Sequence, residues 1–233
     1  MSSGYVHIIA LRTEVSIRHN TMNETELRYE IVRFCQFLHH KGYLSANDGN
    51  ISVKLGDGRI LITPTGIHKG FLNPEDMVVV NEQGTLLSGT RNPSGELPMH
   101  LTVYKTRPDV QAVVHAHPPY CIALSLLQNI DLNGILPEVT LSIGKFCIAP
   151  YGRPISQALG DSLYGFIEKN DALILERHGT LTVGKTVAEA YYRTERIEHA
   201  AFVLWLAYSL GKPKKLPGPE YKALLDMYES SRS

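Results

Sequence analysis

Cysteine is scarce and poorly placed for cross-linking: Cys35, Cys121 and Cys147 are the only three in 233 residues, and none belongs to a CxxC pair. This excludes a disulfide framework and a cysteine-bound zinc, and it fits a reducing, cytoplasmic setting. An excess of charge of either sign is also missing, because 23 Lys+Arg balance 23 Asp+Glu. No whole-chain field therefore draws the protein to nucleic acid or to an anionic membrane, and neither is an expected partner. Apolar runs stay well short of the ~18–20 residues that a membrane-spanning helix needs. The first twenty residues contain one short apolar run, Val6 to Leu11, with no basic flank ahead of it, which argues against a signal peptide.

What is present is a soluble, patterned chain of 43% hydrophobic residues. Residues 1–22 show no helix or strand pattern and read as an N-terminal extension, with 23–233 as a single domain. Asn23 and Glu26 form a capping-box signature, Leu27, Ile31, Cys35 and Leu38 follow at helical spacing, and Gly42 stops the run. Strands are predicted over 51–55 and 59–63, joined at Gly56-Asp57-Gly58, and over 77–81, before a Gly- and Pro-rich loop from Gly84 to Pro93. The second half alternates: helix 97–106, strand 111–115, helix 119–127, strand 146–149, helix 155–169, then strand 172–176 with 181–183 as its hairpin partner. A long helix over 187–210 and a short helical stretch over 221–228 complete it. The expectation is an α/β fold, one domain with a central mixed or antiparallel sheet covered by helices.

Histidines carry the first chemical signal. His115-Ala116-His117 ends the apolar run Ala112-Val113-Val114, and residues i and i+2 of a strand project from one face. Alone, this pair is weak evidence and is better read as two satisfied residues at a strand end. His178 changes the balance, since it closes a second apolar run, Ala172 to Leu175, and Gly179 follows it. Three imidazoles from strand ends can hold one cation and leave a position open, the pattern of a catalytic zinc. His39 and His40 on the first helix, and His199 on the last, read as helix surface or packing positions. Glu96 stands where the loop Pro93-Ser94-Gly95 meets a helix start, four residues before His100. It could serve as an acid/base or merely cap the helix.

Three small-residue loops could cradle an anion with backbone N–H groups: Asn47-Asp48-Gly49-Asn50, Thr63-Pro64-Thr65-Gly66 and Ser94-Gly95. Plain turn chemistry explains each of them as well. Gly179 to Thr186 fits the G-x-x-x-x-G-K-T formula of a P-loop. Its Thr-Leu-Thr-Val interior is strand sequence, and no later strand ends in an aspartate to position magnesium, so nucleotide binding is not expected there.

Taken together, Asp48-Gly49-Asn50-Ile51-Ser52, Ile62-Thr63-Pro64-Thr65-Gly66, Ser94-Gly95-Glu96, Val114-His115-Ala116-His117 and Arg177-His178-Gly179 resemble, in order and spacing, the class II aldolase/adducin superfamily. The resemblance spans about 24–211. It implies a metal-dependent aldehyde-lyase of carbohydrate metabolism that cleaves a phosphorylated ketose to dihydroxyacetone phosphate and a small aldehyde. His115, His117 and His178 would hold Zn2+, though Mn2+, Co2+ or Fe2+ suits the same residues. Glu96 would be the acid/base and could fill the metal's free position when substrate is absent. Gly49, Asn50, Thr65, Gly66, Ser94 and Gly95 would surround the phosphate.

By the same resemblance a homotetramer is expected, and a C-terminal tyrosine, Tyr221 or Tyr228, would close the site. The segment 136–140 carries Glu138 and lacks the tyrosine that fuculose-phosphate aldolases use there. Dehydratase, decarboxylase or epimerase chemistry on the same metal site is the alternative, and a non-catalytic scaffold like the adducin head is a third reading. An epimerase of the family would carry aspartate where Glu96 stands, so glutamate favours bond cleavage.

Overall fold

Asn23 and Glu26 close the first helix by exchanging hydrogen bonds: the Glu26 amide donates to Asn23 Oδ1 (3.0 Å), and the Asn23 amide donates to Glu26 Oε2 (2.7 Å). That satisfies two N–H groups that the first turn would leave unpaired. The computed structural model describes residues 22–127 and 132–231, so the extension read over 1–22 lies outside the described residues except for Met22. Helix α1 covers Glu24–His40 and buries Leu27, Ile31, Cys35 and Leu38, as their spacing requires.

Eight strands form one sheet: β1 Asn50–Lys54, β2 Ile60–Ile62, β3 Val78–Val80, β4 Leu86–Ser88, β5 Ala112–Ala116, β6 Ile148–Ala149, β7 Ala172–Leu175 and β8 Gly179–Gly184. Their order is β4-β3-β2-β1-β5-β8-β7-β6. Every neighbouring pair is antiparallel except β6 with β7. The remaining helices are α2 Leu97–Thr106, α3 Pro119–Ser125, α4 Pro137–Ile143, α5 Gln157–Asp161, α6 Val187–Leu210 and α7 Gly218–Ser230. Helices cover both faces. On β1, Ile51 and Val53 join α1 in one core cluster, while Asn50 and Ser52 point to the other face, toward α2. Among the described residues, no helix is long and apolar enough to cross a membrane.

Three elements depart from the expectation. The helix predicted over 155–169 is only α5, followed by successive turns. Ile155 sits at φ 57° and Gly165 at φ 85°, and neither is compatible with continuing a helix. Leu159, Leu163 and Ile167 are still buried, so the apolar period is real although the backbone is not helical throughout. Strand β4 lies in the stretch read as loop. Its three residues are exposed and carry no burial pattern. Helix α4 was not foreseen, and it starts on Pro137 and stops at Gly144, φ 78°. The G-x-x-x-x-G-K-T segment is strand β8, as its alternation suggested.

Candidate active site

The site gathers at one end of the central strands. Asn50 begins β1 and lies opposite His115 of β5. His117 follows one residue beyond β5, held by its amide to the Tyr43 carbonyl (2.8 Å). Ala116 lies opposite Thr180 of β8. His178 sits in the three-residue turn between β7 and β8, where Arg177 takes a left-handed φ of 62° and the His178 amide returns to the Leu175 carbonyl (3.1 Å). Two glycines let the chains close around this backbone. A Cβ on Gly49 would fall 2.9 Å from the His115 carbonyl oxygen, and one on Gly179 would collide with the Ala116 carbonyl.

Glu96, His115, His117 and His178 each offer one ligand atom, and these four atoms lie within 4.8 Å of one another. His115 Nε2 is 2.9 Å from His117 Nε2. Glu96 Oε2 is 3.2 Å from His115 Nε2, and Glu96 Oε1 is 3.1 Å from His178 Nε2. The outer nitrogens face elsewhere. His115 Nδ1 donates to the Thr180 carbonyl (2.8 Å), and His117 Nδ1 lies 3.4 Å from Asp48 Oδ2. His178 Nδ1 is buried with no hydrogen-bond partner among the described residues. Three inward-facing Nε2 atoms beside a carboxylate, two of the rings backed by outer acceptors, are an arrangement that suits a divalent cation, so the donor set fits a metal.

Crowding sets the electrostatics. Burial raises the Glu96 carboxyl, but the His115 charge and hydrogen bonds from His115, His178 and Asn50 outweigh it and hold the group well below the usual carboxylate range. Burial lowers His115, yet the Glu96 carboxylate raises it more. His117 is pushed down to about 3, first by burial and then by the charges of His115 and His178. The cluster thus keeps Glu96 ionised and favours a proton on His115, while a second protonated imidazole at His117 is disfavoured.

Of the two roles open to Glu96, helix capping fails. It is the N-cap of α2, but its side chain makes no cap hydrogen bond and turns instead to Asn50 Nδ2 (2.8 Å) and the histidines. The three anion-candidate loops do meet. The Ile51 amide donates to Thr63 Oγ1 (3.3 Å), and the Ser94 amide donates to the Thr63 carbonyl (3.2 Å). Buried Lys69 ties the first loop to the second, from Nζ to the carbonyls of Asn47 (3.0 Å) and Ile67 (2.8 Å). Thr65 and Gly66 are exposed, Ser94 is buried and Gly95 is half-buried. Asn50 differs from the others, since its amide is engaged by Glu96 and His100 and serves the carboxylate.

Tyr228 does not close the site in this arrangement. It is buried and donates to Asp171 Oδ2 (2.9 Å). Tyr221 lies against Gly134, and Glu138 is exposed in the first turn of α4. Reading the sequence alone missed Ser52 and Tyr104 and left His100 without a role. The signal was available: Glu96, His100 and Tyr104 repeat at i+4 on one face of α2, and Asn50 and Ser52 share one face of β1.

A mixed sheet covered by helices, with three histidines and a glutamate at its centre, defines a class II aldolase fold. The chain belongs to the family described as Class II Aldolase and Adducin N-terminal domain, which it matches over residues 29–205. It is 36% identical over 181 residues to an L-fuculose phosphate aldolase of Methanococcus maripaludis, covering 78% of this chain and 97% of that one. It is 35% identical over 175 residues to a 3-oxo-tetronate 4-phosphate decarboxylase of Haemophilus influenzae, covering 73% and 83%. The crystal structure of YgbL from Escherichia coli, described as a candidate aldolase/epimerase/decarboxylase, superposes with a TM-score of 0.80 at 32% identity over 87% of this chain and 99% of that one. Family membership with this site makes the chain a lyase-type enzyme.

Proposed function

We propose that the protein is a cytoplasmic, metal-dependent lyase that cleaves a ketose 1-phosphate such as L-fuculose 1-phosphate into dihydroxyacetone phosphate and a small aldehyde. The observation that carries this reading is the convergence of Glu96 with His115, His117 and His178, with Glu96 free of any capping duty. His115, His117 and His178 would hold the ion through Nε2, with zinc favoured by three nitrogen donors. Such a cation would supply Lewis-acid stabilisation of the negative charge that develops on the substrate oxygens.

The chain's own residues do the rest. Glu96 Oε2 is fixed by Asn50 Nδ2, whereas Oε1 faces His178 Nε2 (3.1 Å), a nitrogen that an ion would take, and it is the oxygen that would exchange a proton with carbon. It accepts that proton in condensation and returns it in cleavage. Gly49, Thr65, Gly66, Ser94 and Gly95 line the joined loops that would receive the phosphate. Self-association, with a tetramer as the expected state, is supported by the apolar side chains exposed along α6, namely Tyr192, Trp205, Leu206 and Leu210.

A second reading is supported by the nearly equal likeness to the Haemophilus influenzae decarboxylase. Loss of carbon dioxide from a 3-oxo-tetronate 4-phosphate leaves the same three-carbon enediolate, and its protonation also gives dihydroxyacetone phosphate. The triose therefore does not separate the two reactions, whereas the co-product does. The deciding experiment supplies metal-loaded protein with ketose 1-phosphates and with 3-oxo-tetronate 4-phosphate, and measures triose phosphate, aldehyde and carbon dioxide together. Aldehyde in step with triose supports the aldolase, carbon dioxide in step with triose supports the decarboxylase, and no triose from any of them overturns both.

A further inference from the structure

Behind Glu96 runs a buried line of polar groups that reaches into the core. Tyr104 OH is 2.8 Å from Ser52 Oγ, Ser52 Oγ is 2.6 Å from His100 Nδ1, His100 Nε2 is 2.5 Å from Asn50 Oδ1, and Asn50 Nδ2 is 2.8 Å from Glu96 Oε2. Ser52 and His100 are fully buried, and Asn50, Tyr104 and Glu96 are nearly so. Groups this enclosed depend on one another for their hydrogen bonds.

The chemistry of the groups fixes the direction of every bond. A carboxylate only accepts, so the Asn50 amide presents its NH2 to Glu96, and its oxygen is left facing His100. That oxygen also only accepts, so His100 carries its proton on Nε2. With the ring neutral, Nδ1 is then an acceptor, Ser52 must donate to it, and Tyr104 must donate to Ser52. Neutrality follows from the setting, since burial, and then the charge of His115, push His100 down to about 3. Reversing one bond would reverse all of them and would turn the Asn50 oxygen onto the carboxylate.

We propose that His100 is a positioning residue: by holding the Nε2–H tautomer it locks the Asn50 amide, so that a one-way line of donors pins Glu96 Oε2 and fixes the orientation of Oε1, which lies on the histidine side of the carboxylate. This rests on the role given to Glu96 above. Ser52 and Tyr104 complete the line by fixing the tautomer from the far side. No net proton transfer along it is required.

The test combines a direct view of the protons with kinetics. Neutron diffraction of the zinc-loaded protein is expected to show deuterium on His100 Nε2 and none on Nδ1. Deuterium on Nδ1 overturns the proposal whatever the enzyme catalyses. In steady-state assays on whichever substrate is cleaved, His100→Leu should keep metal content and KM while kcat falls about 10- to 100-fold. His100→Gln offers an NH2 toward Asn50 and an oxygen toward Ser52, and it should recover most of that loss. Equal losses in Leu and Gln, an unchanged kcat in Leu, or a change in KM alone each overturn it. Glu96→Gln, run alongside, separates the two ideas, because full turnover in that variant removes the proton carrier while the neutron result still reads the direction of the line.

Discussion

The Thr180 carbonyl oxygen, 2.8 Å from His115 Nδ1, decides which nitrogen of that ring faces the site. A carbonyl cannot donate, so Nδ1 carries a proton toward it and Nε2 is the nitrogen turned inward, toward His117 and Glu96. The β5–β8 pairing sets this contact, which means that the ligand face is prepared before any ion arrives.

Metal content should therefore depend on residues of the cluster and not on histidines elsewhere. His178→Ala is expected to lose metal on dialysis, while His199→Ala, on the exposed face of α6, keeps it. Elemental analysis of both proteins checks this, and full occupancy in His178→Ala would remove that residue from the ligand set.

Glu96→Gln should retain metal and fold but lose about 10²- to 10⁴-fold in kcat, the usual contribution of a positioned proton carrier. Gln still offers an oxygen to Asn50, so the loss reports chemistry more than packing. Turnover equal to the parent would exclude Glu96 as the acid/base.

Two glycines of similar φ separate backbone strain from crowding. Gly42 (φ 75°) has nothing within 4 Å of a would-be Cβ, whereas on Gly49 (φ 69°) that Cβ would press on Leu44 and on the His115 carbonyl. Gly42→Ala is expected to cost about 1–2 kcal/mol for the left-handed backbone alone. Gly49→Ala should cost more and should weaken metal binding as β5 shifts. Denaturant melts with metal titrations would show it, and equal melts would mean that the close approach at Gly49 is relieved elsewhere.

His100 also predicts a pH dependence. Its ordinary value is 6.5, and in the folded chain it lies near 3. Above pH 6.5 both states are neutral there, so this residue adds no slope. Between 6.5 and 3 the unfolded chain takes a proton that the folded chain refuses, so stability falls as the pH falls, by up to about 1.4 kcal/mol per pH unit. His117 contributes in the same window, and the comparison that isolates His100 is therefore the difference between the parent and His100→Gln. Parallel stability curves for the two proteins would contradict the shift.

Much of this was legible in the sequence because the information is local. The cap at Asn23, the period of α1, the hairpin chemistry at Gly58 and the alternation of β8 are each settled within a few residues. The histidines could be found because each ends an apolar run. What lay out of reach depended on neighbours brought from afar. Nothing near Ile155 in the chain announces its left-handed backbone beside Gly95, and nothing near Tyr228 announces that Asp171 will accept from its hydroxyl. The line behind Glu96 lay between these extremes, because its spacing is visible on α2 and on β1, but only the packing of the helix on the sheet joins the two halves.

The place of the four-residue cluster has a consequence for how such a protein can change. His115 comes from β5 beside β1 at the middle of the sheet, and His178 from the turn that joins β7 to β8 next to it, so neither belongs to the edge strands β4 and β6. The loop at Thr65-Gly66 and the side chain of Ile155 beside Gly95 face solvent. Under the proposed roles, the bond-making groups thus sit where any shift is resisted from both sides, whereas replacement at the exposed rim disturbs little. A scaffold divided in this way can keep its reacting centre unchanged while its rim is altered.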